Sequence, residues 1–245
     1  GEFKKKSFEN VSQELTCEMA SNNPTRNWEK CVTKTSENSI FIFGDSHSTN
    51  LLPSIKKSIE QLKPNLEVLY FSNSQKYKIP FFENNNPIYD KFLSSLSFGD
   101  IIIYSHTMVR SEDENNRFSK ELNKIVKTVP DYIPILLIDD LVSPCSELDY
   151  RRRFTFGTSE CRLSKIEAIE KRSKYTKRLK EYALKENIHY FDPLNAVCES
   201  DGFCYATKNS KLLYSDFSPH ISIDSKFVLT QFFNNIFSKN NFLDK

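Results

Sequence analysis

Five short runs of apolar residues, separated by longer segments with helical periodicity, constrain the fold of this chain more than any other feature. The runs cover residues 40–43, 66–71, 101–104, 133–138 and 188–191, and Pro134 delays the start of the fourth. Successive side chains of a strand point to opposite faces of the sheet, and in these runs the side chains of both faces are apolar. This pattern is typical of strands buried on both sides of a parallel sheet. Apolar residues recur at helical spacing in three segments: Leu51, Ile55, Ile59 and Leu62; Ile166, Ile169, Tyr175, Leu179 and Tyr182; Leu229, Phe232, Phe233 and Ile236.

Strands that alternate with helices pack into layers when the crossovers between them are right-handed. The sequence therefore predicts an α/β fold: a three-layer α/β/α sandwich around a central parallel sheet of about five strands. A basic run accompanies the second helical segment and predicts a solvated helix face: Lys171, Arg172, Lys174, Lys177, Arg178 and Lys180. The net charge of +2 does not select a class of partner.

The chain of 245 residues divides into three parts. Residues 1–3 (Gly-Glu-Phe) are typical of a cloning scar, so we expect the chain to be an excised part of a longer protein. Residues 4–38 are polar and irregular and predict an N-terminal extension, and residues 39–245 predict one folded domain. No window of about 18 apolar residues is present, so we expect no membrane-spanning helix in this sequence.

Six cysteines fall into three local couples, Cys17 with Cys31, Cys145 with Cys161, and Cys198 with Cys204. None of the couples has the CxxC spacing of a zinc or redox site. All lie in segments that read as loops, and several connectivities are possible. We interpret the couples as disulfides rather than free thiols, with Cys17–Cys31 clamping the extension. Disulfides predict a periplasmic or extracellular location.

Polar residues follow three of the predicted strands, at residues 44–47, 105–106 and 139–140. The carboxyl ends of parallel strands meet at one edge, where ligands of such sheets bind. The first group reads Gly44-Asp45-Ser46-His47. Ser46 lies where the strand turns into a helix, so its N–H is an unpaired donor of the helix N-terminus. Gly44 permits a tight turn and the close approach of a substrate, while Asp45 caps the helix or braces the loop.

A serine nucleophile needs a base, and the base needs an orienting group. Of the four histidines, His189 lies inside a strand, and His47 is expected to point away from its neighbour Ser46. His220 lies in a polar loop before the last helix, four residues after Asp216. In isolation this histidine is typical of a surface loop. Together with Gly-Asp-Ser at the first strand end, it is a candidate base, with Asp216 holding its other nitrogen.

These residues resemble the SGNH (GDSL-like) hydrolase superfamily, which has a flavodoxin-like fold. Gly44-Asp45-Ser46 is similar to its nucleophile block, and the region of Asp216 and His220 to its acid–base block. The order of the blocks agrees with that superfamily. The closer resemblance, over about residues 28–238, is to the periplasmic SGNH domain fused to membrane acyltransferase-3 proteins. It is carried by Gly-Asp-Ser-His, by a Trp-x-x-Cys segment at residues 28–31, and by a cysteine pair before the Asp/His loop.

The resemblance implies an SGNH-type O-acetyltransferase or esterase over residues 39–245, without a cofactor or a metal. Ser46 would be acylated and would pass the acyl group, an acetyl by analogy, to a hydroxyl of a bacterial cell-surface polysaccharide. The domain would be the periplasmic or extracellular part of a larger membrane acyltransferase, which delivers the acyl donor. We expect the fragment itself to be monomeric. His47 is a marker of the resemblance, with no role assigned from the residues.

The sequence departs from the superfamily pattern in three places. The loop at residues 71–81 lacks the glycine of the second block, and the third strand ends without the asparagine of the third block. The candidate oxyanion donors are therefore the Ser46 N–H, groups at residues 72–74 including Asn73 and Ser74, and His106 or Ser105. Losing one donor typically costs about 10²–10³-fold in rate. Phe217 occupies the usual position of the acid, so either Asp216 or a backbone carbonyl orients His220.

Two other functions are compatible with these residues. A stand-alone secreted carbohydrate esterase would use the same serine with water as the acceptor. A glycan-binding module with a degraded site would explain the missing glycine and asparagine, but Ser46 and His220 survive in the expected order. No His, Asp or Glu cluster has metal-ligand spacing, and the basic helix alone does not predict nucleic-acid binding.

Overall fold

The computed structural model describes residues 33–72, 86–107, 112–144, 161–208, 211–215 and 219–243. The strands, in chain order, are β1 Ser39–Gly44, β2 Glu67–Ser72, β3 Ile101–Ser105, β4 Ile135–Ile138, β5 Arg162–Ser164, β6 His189–Phe191, β7 Phe203–Tyr205, β8 Thr207–Lys208 and β9 Lys211–Leu212. The helices are α1 Ser46–Leu62, α2 Pro87–Ser95, α3 Glu112–Thr128, α4 Lys165–Lys185, α5 Leu194–Val197 and α6 Thr230–Lys239.

Five parallel strands form the central sheet in the order β2-β1-β3-β4-β6. β3 lies in the middle of this order, between β1 and β4, and every residue of these three strands is buried. Such two-sided burial is why these strands read as continuous apolar runs. Pro134 delays the start of the fourth strand, as predicted, because β4 begins at Ile135, one residue after the proline.

Helices cover both faces of the sheet, which completes the three layers. On one face, Ile40 and Ile42 pack in a cluster with α1 and α6. On the other face, Phe41 and Phe43 pack with residues of α2, α3 and α4. The predicted α/β/α sandwich with a five-stranded parallel sheet is therefore confirmed. Within the described parts of the chain, no helix has both the length and the apolar character needed to cross a membrane.

Helix α4 faces the sheet differently from the prediction. Its buried residues are Ala168, Arg172, Tyr175, Leu179 and Ala183, which recur every three to four positions. Ile166 and Ile169, which belong to the apolar pattern that predicted this helix, are 71% and 48% exposed and do not lie on its buried face. Arg172 is 3% exposed and does not belong to the solvated basic face, because two acidic residues below the helix bind its guanidinium.

Two small antiparallel sheets are separate from the central sheet, and we call them the antiparallel extension. β5 pairs with β7, and β8 pairs with β9. Cys198 and Cys204 form a disulfide across this region. Cys161 is also disulfide-bonded, while its predicted partner Cys145 lies outside the described residues. The predicted clamp between Cys17 and Cys31 also lies outside them, so its formation stays a prediction.

Candidate active site

The turn from β1 into α1 depends on Gly44. Its φ is +147°, and a Cβ added there would lie 1.7 Å from the carbonyl oxygen of Ser105 and 2.9 Å from Cβ of Ser48. The backbone at the end of β3 thus approaches Gly44 closely, and the close approach of a substrate stays a prediction. The missing side chain lets β1 and β3 stay paired to the point where the chain turns upward.

Asp45 both caps α1 and braces the neighbouring loop. Its Oδ1 accepts a hydrogen bond from the backbone N–H of His47 at 2.9 Å, which is the capping interaction. Its Oδ2 accepts one from the backbone N–H of Thr107 at 3.0 Å, beyond the end of β3. The two roles that the sequence left as alternatives are performed by the two carboxylate oxygens of one buried side chain.

Ser46 is the first residue of α1 and is half-buried. Nε2 of His220 lies 3.0 Å from Oγ of Ser46, which is hydrogen-bonding distance. The two residues are 174 positions apart in the chain. Among the residues that the structure describes, the backbone N–H of Ser46 has no hydrogen-bond acceptor. A hydroxyl, an imidazole and an unpaired N–H at a helix N-terminus therefore meet at one point of the sheet edge.

His220 is held in place by its own backbone. Its carbonyl oxygen accepts hydrogen bonds from the N–H of Ser215 at 2.7 Å and from Oγ of Ser215 at 3.1 Å. Tyr214 and Ile221 form an antiparallel bridge beside it. Asp216, the predicted orienting acid, lies outside the described residues, and so do the candidate donors Asn73 and Ser74. Their roles stay predictions.

His106 lies at the same edge and is 1% exposed. Its Nδ1 lies 3.0 Å from the carbonyl oxygen of Thr107 and 3.5 Å from Oδ2 of Asp45. Both neighbours accept only, so a neutral ring carries its proton on Nδ1. Nε2 is buried and has no hydrogen-bond partner among the described residues. In this tautomer Nε2 has no proton to donate, so His106 fits an oxyanion donor only as an imidazolium.

The His47 side chain contacts Asp140 and the His220 ring. Its Nδ1 lies 2.6 Å from Oδ1 of Asp140, and both side chains are 5% exposed. Its ring centroid is 4.8 Å from that of His220, with the ring planes inclined at 50°. The sequence placed Asp140 at the correct edge of the sheet but gave it no role. The only available signal was a pair of acids directly after a buried strand.

A buried ionic network supports Asp140 from below. Asp139 accepts hydrogen bonds from Thr176 and Tyr190, and its carboxylate lies 3.4 Å from Arg172. Arg172 also binds Asp192. Burial raises the pKa of Asp139, and the Arg172 guanidinium and the two hydroxyls act in the opposite direction. Burial also raises the pKa of Tyr190, and the nearby Asp139 carboxylate adds to this effect.

A metal site has no support in the described part of the chain, where no group of three or more His, Cys, Asp or Glu side chains could hold an ion. The side chains described at this edge are a hydroxyl, three imidazoles and carboxylates. This donor set suits acyl transfer through a serine.

The chain belongs to the family described as SGNH domain (fused to AT3 domains), whose model matches residues 16–233. It is an SGNH-type enzyme of the esterase and acetyltransferase class, and its general reaction is O-acyl transfer or hydrolysis.

Two solved structures share its fold. One is the periplasmic domain of a lipopolysaccharide acetyltransferase from Salmonella ser. Paratyphi A, at 16% identity and a TM-score of 0.57, with 93% of each chain covered. The other is a putative acylhydrolase from Bacteroides fragilis, at 11% identity and a TM-score of 0.50, covering 89% of this chain and 97% of that one. No curated protein matches the sequence.

Proposed function

We propose that this domain transfers an O-acyl group, by analogy an acetyl group, to a hydroxyl of a bacterial cell-surface polysaccharide, with Ser46 as nucleophile and His220 as base. The observation that carries the proposal is the 3.0 Å contact between Nε2 of His220 and Oγ of Ser46. This contact joins the nucleophile and base types that acyl transfer requires, at the strand edge where such folds bind ligands.

In the first half-reaction, Oγ of Ser46 attacks the carbonyl carbon of the acyl donor while Nε2 of His220 takes the hydroxyl proton. The tetrahedral intermediate carries its negative charge on the former carbonyl oxygen. Collapse of this intermediate breaks the bond to the leaving group, which receives the proton from His220. The products are an acyl ester on Ser46 and a neutral His220.

In the second half-reaction, the acceptor hydroxyl attacks the acyl ester and gives its proton to His220. Collapse of the second tetrahedral intermediate returns that proton to Oγ of Ser46 and releases the acylated acceptor. Water in place of the sugar hydroxyl gives hydrolysis by the same steps. The balance between transfer and hydrolysis is thus decided by which hydroxyl compound occupies the acceptor position.

Charge on the two intermediates needs hydrogen-bond donors. The Ser46 N–H meets this need, because it is unpaired within the described residues and lies at the positive end of α1. We assign further donors to Asn73 or Ser74, which follow β2 in the chain, as the sequence predicts. Asp216 is proposed to hold Nδ1 of His220, with a backbone carbonyl as the alternative.

Two findings support the polysaccharide acceptor and the membrane partner. The family consists of SGNH domains fused to AT3 domains, so a membrane acyltransferase domain is the proposed source of the acyl donor. A structure with the same fold is the periplasmic domain of a lipopolysaccharide acetyltransferase. By analogy, we place this domain in the periplasm or outside the cell, tethered to such a membrane domain.

Turnover of 4-nitrophenyl acetate tests the assignment of the nucleophile and the base. We expect Ser46→Ala and His220→Asn each to lower kcat by about 10³-fold or more, because either change removes half of the proton-transfer pair. Ser94→Ala, an exposed serine on α2, is the matched control and should be unchanged. Circular dichroism must show that the variants are folded. Turnover by folded Ser46→Ala at the unchanged rate would refute the proposal.

Acceptor competition separates transfer from hydrolysis. The protein would be given 4-nitrophenyl acetate with and without a bacterial lipopolysaccharide oligosaccharide, and the acetylated sugar would be measured by mass spectrometry. We expect Ser46-dependent acetylation of the oligosaccharide at the expense of free acetate. Free acetate as the sole product, at every oligosaccharide concentration, would instead assign the domain to the esterases.

A further inference from the structure

A second histidine–carboxylate pair lies directly beside the proposed base. His47 and Asp140 are both nearly fully buried, 2.6 Å apart, and the His47 ring packs against that of His220. We propose that His47, held by Asp140, is a positioning residue that keeps the His220 imidazole directed at Ser46. This inference rests on the proposed function of Ser46 and His220.

The contact with Asp140 fixes the orientation of the His47 ring. Oδ1 of Asp140 accepts hydrogen bonds from Nδ1 of His47 at 2.6 Å and from the backbone N–H of Leu141 at 2.8 Å. An ionised carboxylate only accepts, so Nδ1 of His47 carries the proton. Rotation of the ring would break a hydrogen bond between two buried groups, which is costly.

Asp140 is itself fixed by its backbone. Its N–H donates to Oδ1 of Asp139 at 2.8 Å, and its carbonyl oxygen accepts from Arg172 at 2.9 Å. These bonds connect Asp140 to the ionic network beneath α4. The carboxylate that orients His47 therefore belongs to a rigid part of the sheet edge, since both flanking peptide groups are bonded.

His47 transmits this rigidity to His220. Its backbone N–H is held by Asp45, and its ring lies 4.8 Å from the His220 ring, centroid to centroid. His220 precedes α6 in the chain, and its contacts with residues 216–218 lie outside the described part. A wall that restricts rotation of the base away from Ser46 keeps Nε2 in the reactive position. Misplacement of a catalytic group by about 1 Å can cost about 10²-fold in rate.

His47→Asn is the sharpest first test, because the asparagine amide can still donate to Asp140 while the rest of the ring is removed. With 4-nitrophenyl acetate we expect kcat to fall roughly 10- to 100-fold with KM within about twofold. Labelling of Ser46 by a fluorophosphonate should slow by the same factor. His189→Asn, on the exposed edge strand β6, is the matched control and should change neither quantity.

Two substitutions of Asp140 separate orientation from charge. Asp140→Ala removes the acceptor and should slow turnover about as much as His47→Asn. In Asp140→Asn the amide oxygen can accept both hydrogen bonds that Oδ1 accepts now, so kcat should return to within about threefold of the unchanged protein. Thermal unfolding of each variant shows whether it is folded. If Asp140→Ala fails to fold, His47→Asn decides the question, because its asparagine amide can still donate a hydrogen bond to the Asp140 carboxylate.

Two results would overturn the positioning role. The first is a folded His47→Asn protein whose kcat lies within about threefold of the unchanged protein. The second is an Asp140→Asn protein as slow as Asp140→Ala, which would assign the effect to charge. Failure of the proposed function itself looks different: Ser46→Ala would then retain turnover, whatever the behaviour of His47 and Asp140.

Discussion

At the scale of single residues, Gly44 shows how close packing of two strand ends can require a glycine. We expect Gly44→Ala to lower the free energy of unfolding by about 3 kcal/mol or more, because the added Cβ would lie 1.7 Å from the Ser105 carbonyl oxygen. Gly202→Ala is the control: its φ is also positive, at +86°, but nothing lies within 4 Å of the new Cβ. Gly202→Ala should lower the free energy of unfolding, measured with urea, by about 1–2 kcal/mol. Equal losses in the two variants would contradict the steric explanation.

Asp139 gives a residue-scale prediction for the pH dependence of stability. Burial raises the pKa of its carboxyl above the ordinary value of 3.8. Between 3.8 and the raised pKa of the native state, the native state binds more protons than the unfolded state, so stability falls as pH rises. Asp139→Asn removes this pH dependence.

Urea unfolding of both proteins from about pH 3.5 to 6 measures the effect of Asp139. We expect the unfolding free energy of the unchanged protein, relative to Asp139→Asn, to decrease as pH rises through that range. A difference that stays constant or increases with pH would show that the native state does not favour the protonated carboxyl.

Ser46 and His220 could be proposed from sequence because the chain offers few histidines and one Gly-Asp-Ser at a strand end. The contact between His47 and His220 could not be predicted from the sequence. Local helix geometry predicts that neighbours diverge, but it does not say which distant side chain each one meets. Asp140 becomes meaningful only once β4 is placed beside β3 in the sheet.

At the scale of elements, α2 shows a signal that the apolar pattern alone did not provide. Asn86 caps the helix, its side-chain oxygen accepting from the N–H groups of Ile88 and Tyr89, and Pro87 is the first helical residue. Asn-Pro before a helix is a typical start signal. We expect Asn86→Ala to lower the unfolding free energy by about 1 kcal/mol, with Ser94→Ala near zero. No measurable loss in Asn86→Ala would argue against the cap.

The strands were predictable because burial on both faces leaves a continuous apolar run. The buried face of α4 was not, because the helix buries an arginine. Periodicity of apolar residues assigns Ile169 to the core, whereas the acids at the ends of β4 and β6 draw Arg172 inward. A helix packed over a charged network therefore carries a mixed pattern that hydrophobicity alone misreads.

At the scale of the whole molecule, the site combines three distant parts of the chain: the end of β1, the end of β4, and the loop before α6. The last part is tied to the antiparallel extension, since Leu213 N–H donates to Ala206 and Ser222 N–H donates to Leu213. The disulfide between Cys198 and Cys204 closes a loop in the same extension.

Removal of this disulfide tests how much the extension contributes to stability. For a loop this short we expect the Cys198→Ser/Cys204→Ser double variant to lose roughly 2 kcal/mol of unfolding free energy, mainly through greater entropy of the unfolded chain. Urea unfolding under non-reducing conditions measures the loss. Unchanged stability would mean that the loop is equally restricted without the bond.

The central claim, that Ser46 is the nucleophile, is tested most directly by labelling the folded protein with a fluorophosphonate and mapping the adduct by peptide mass spectrometry. A serine activated by His220 should form one adduct, on Ser46, and the adduct should disappear in folded His220→Asn. The labelling should also be prevented by unfolding in urea, because the 3.0 Å contact joins residues 174 positions apart. An adduct on another residue, or none at all, would contradict the account.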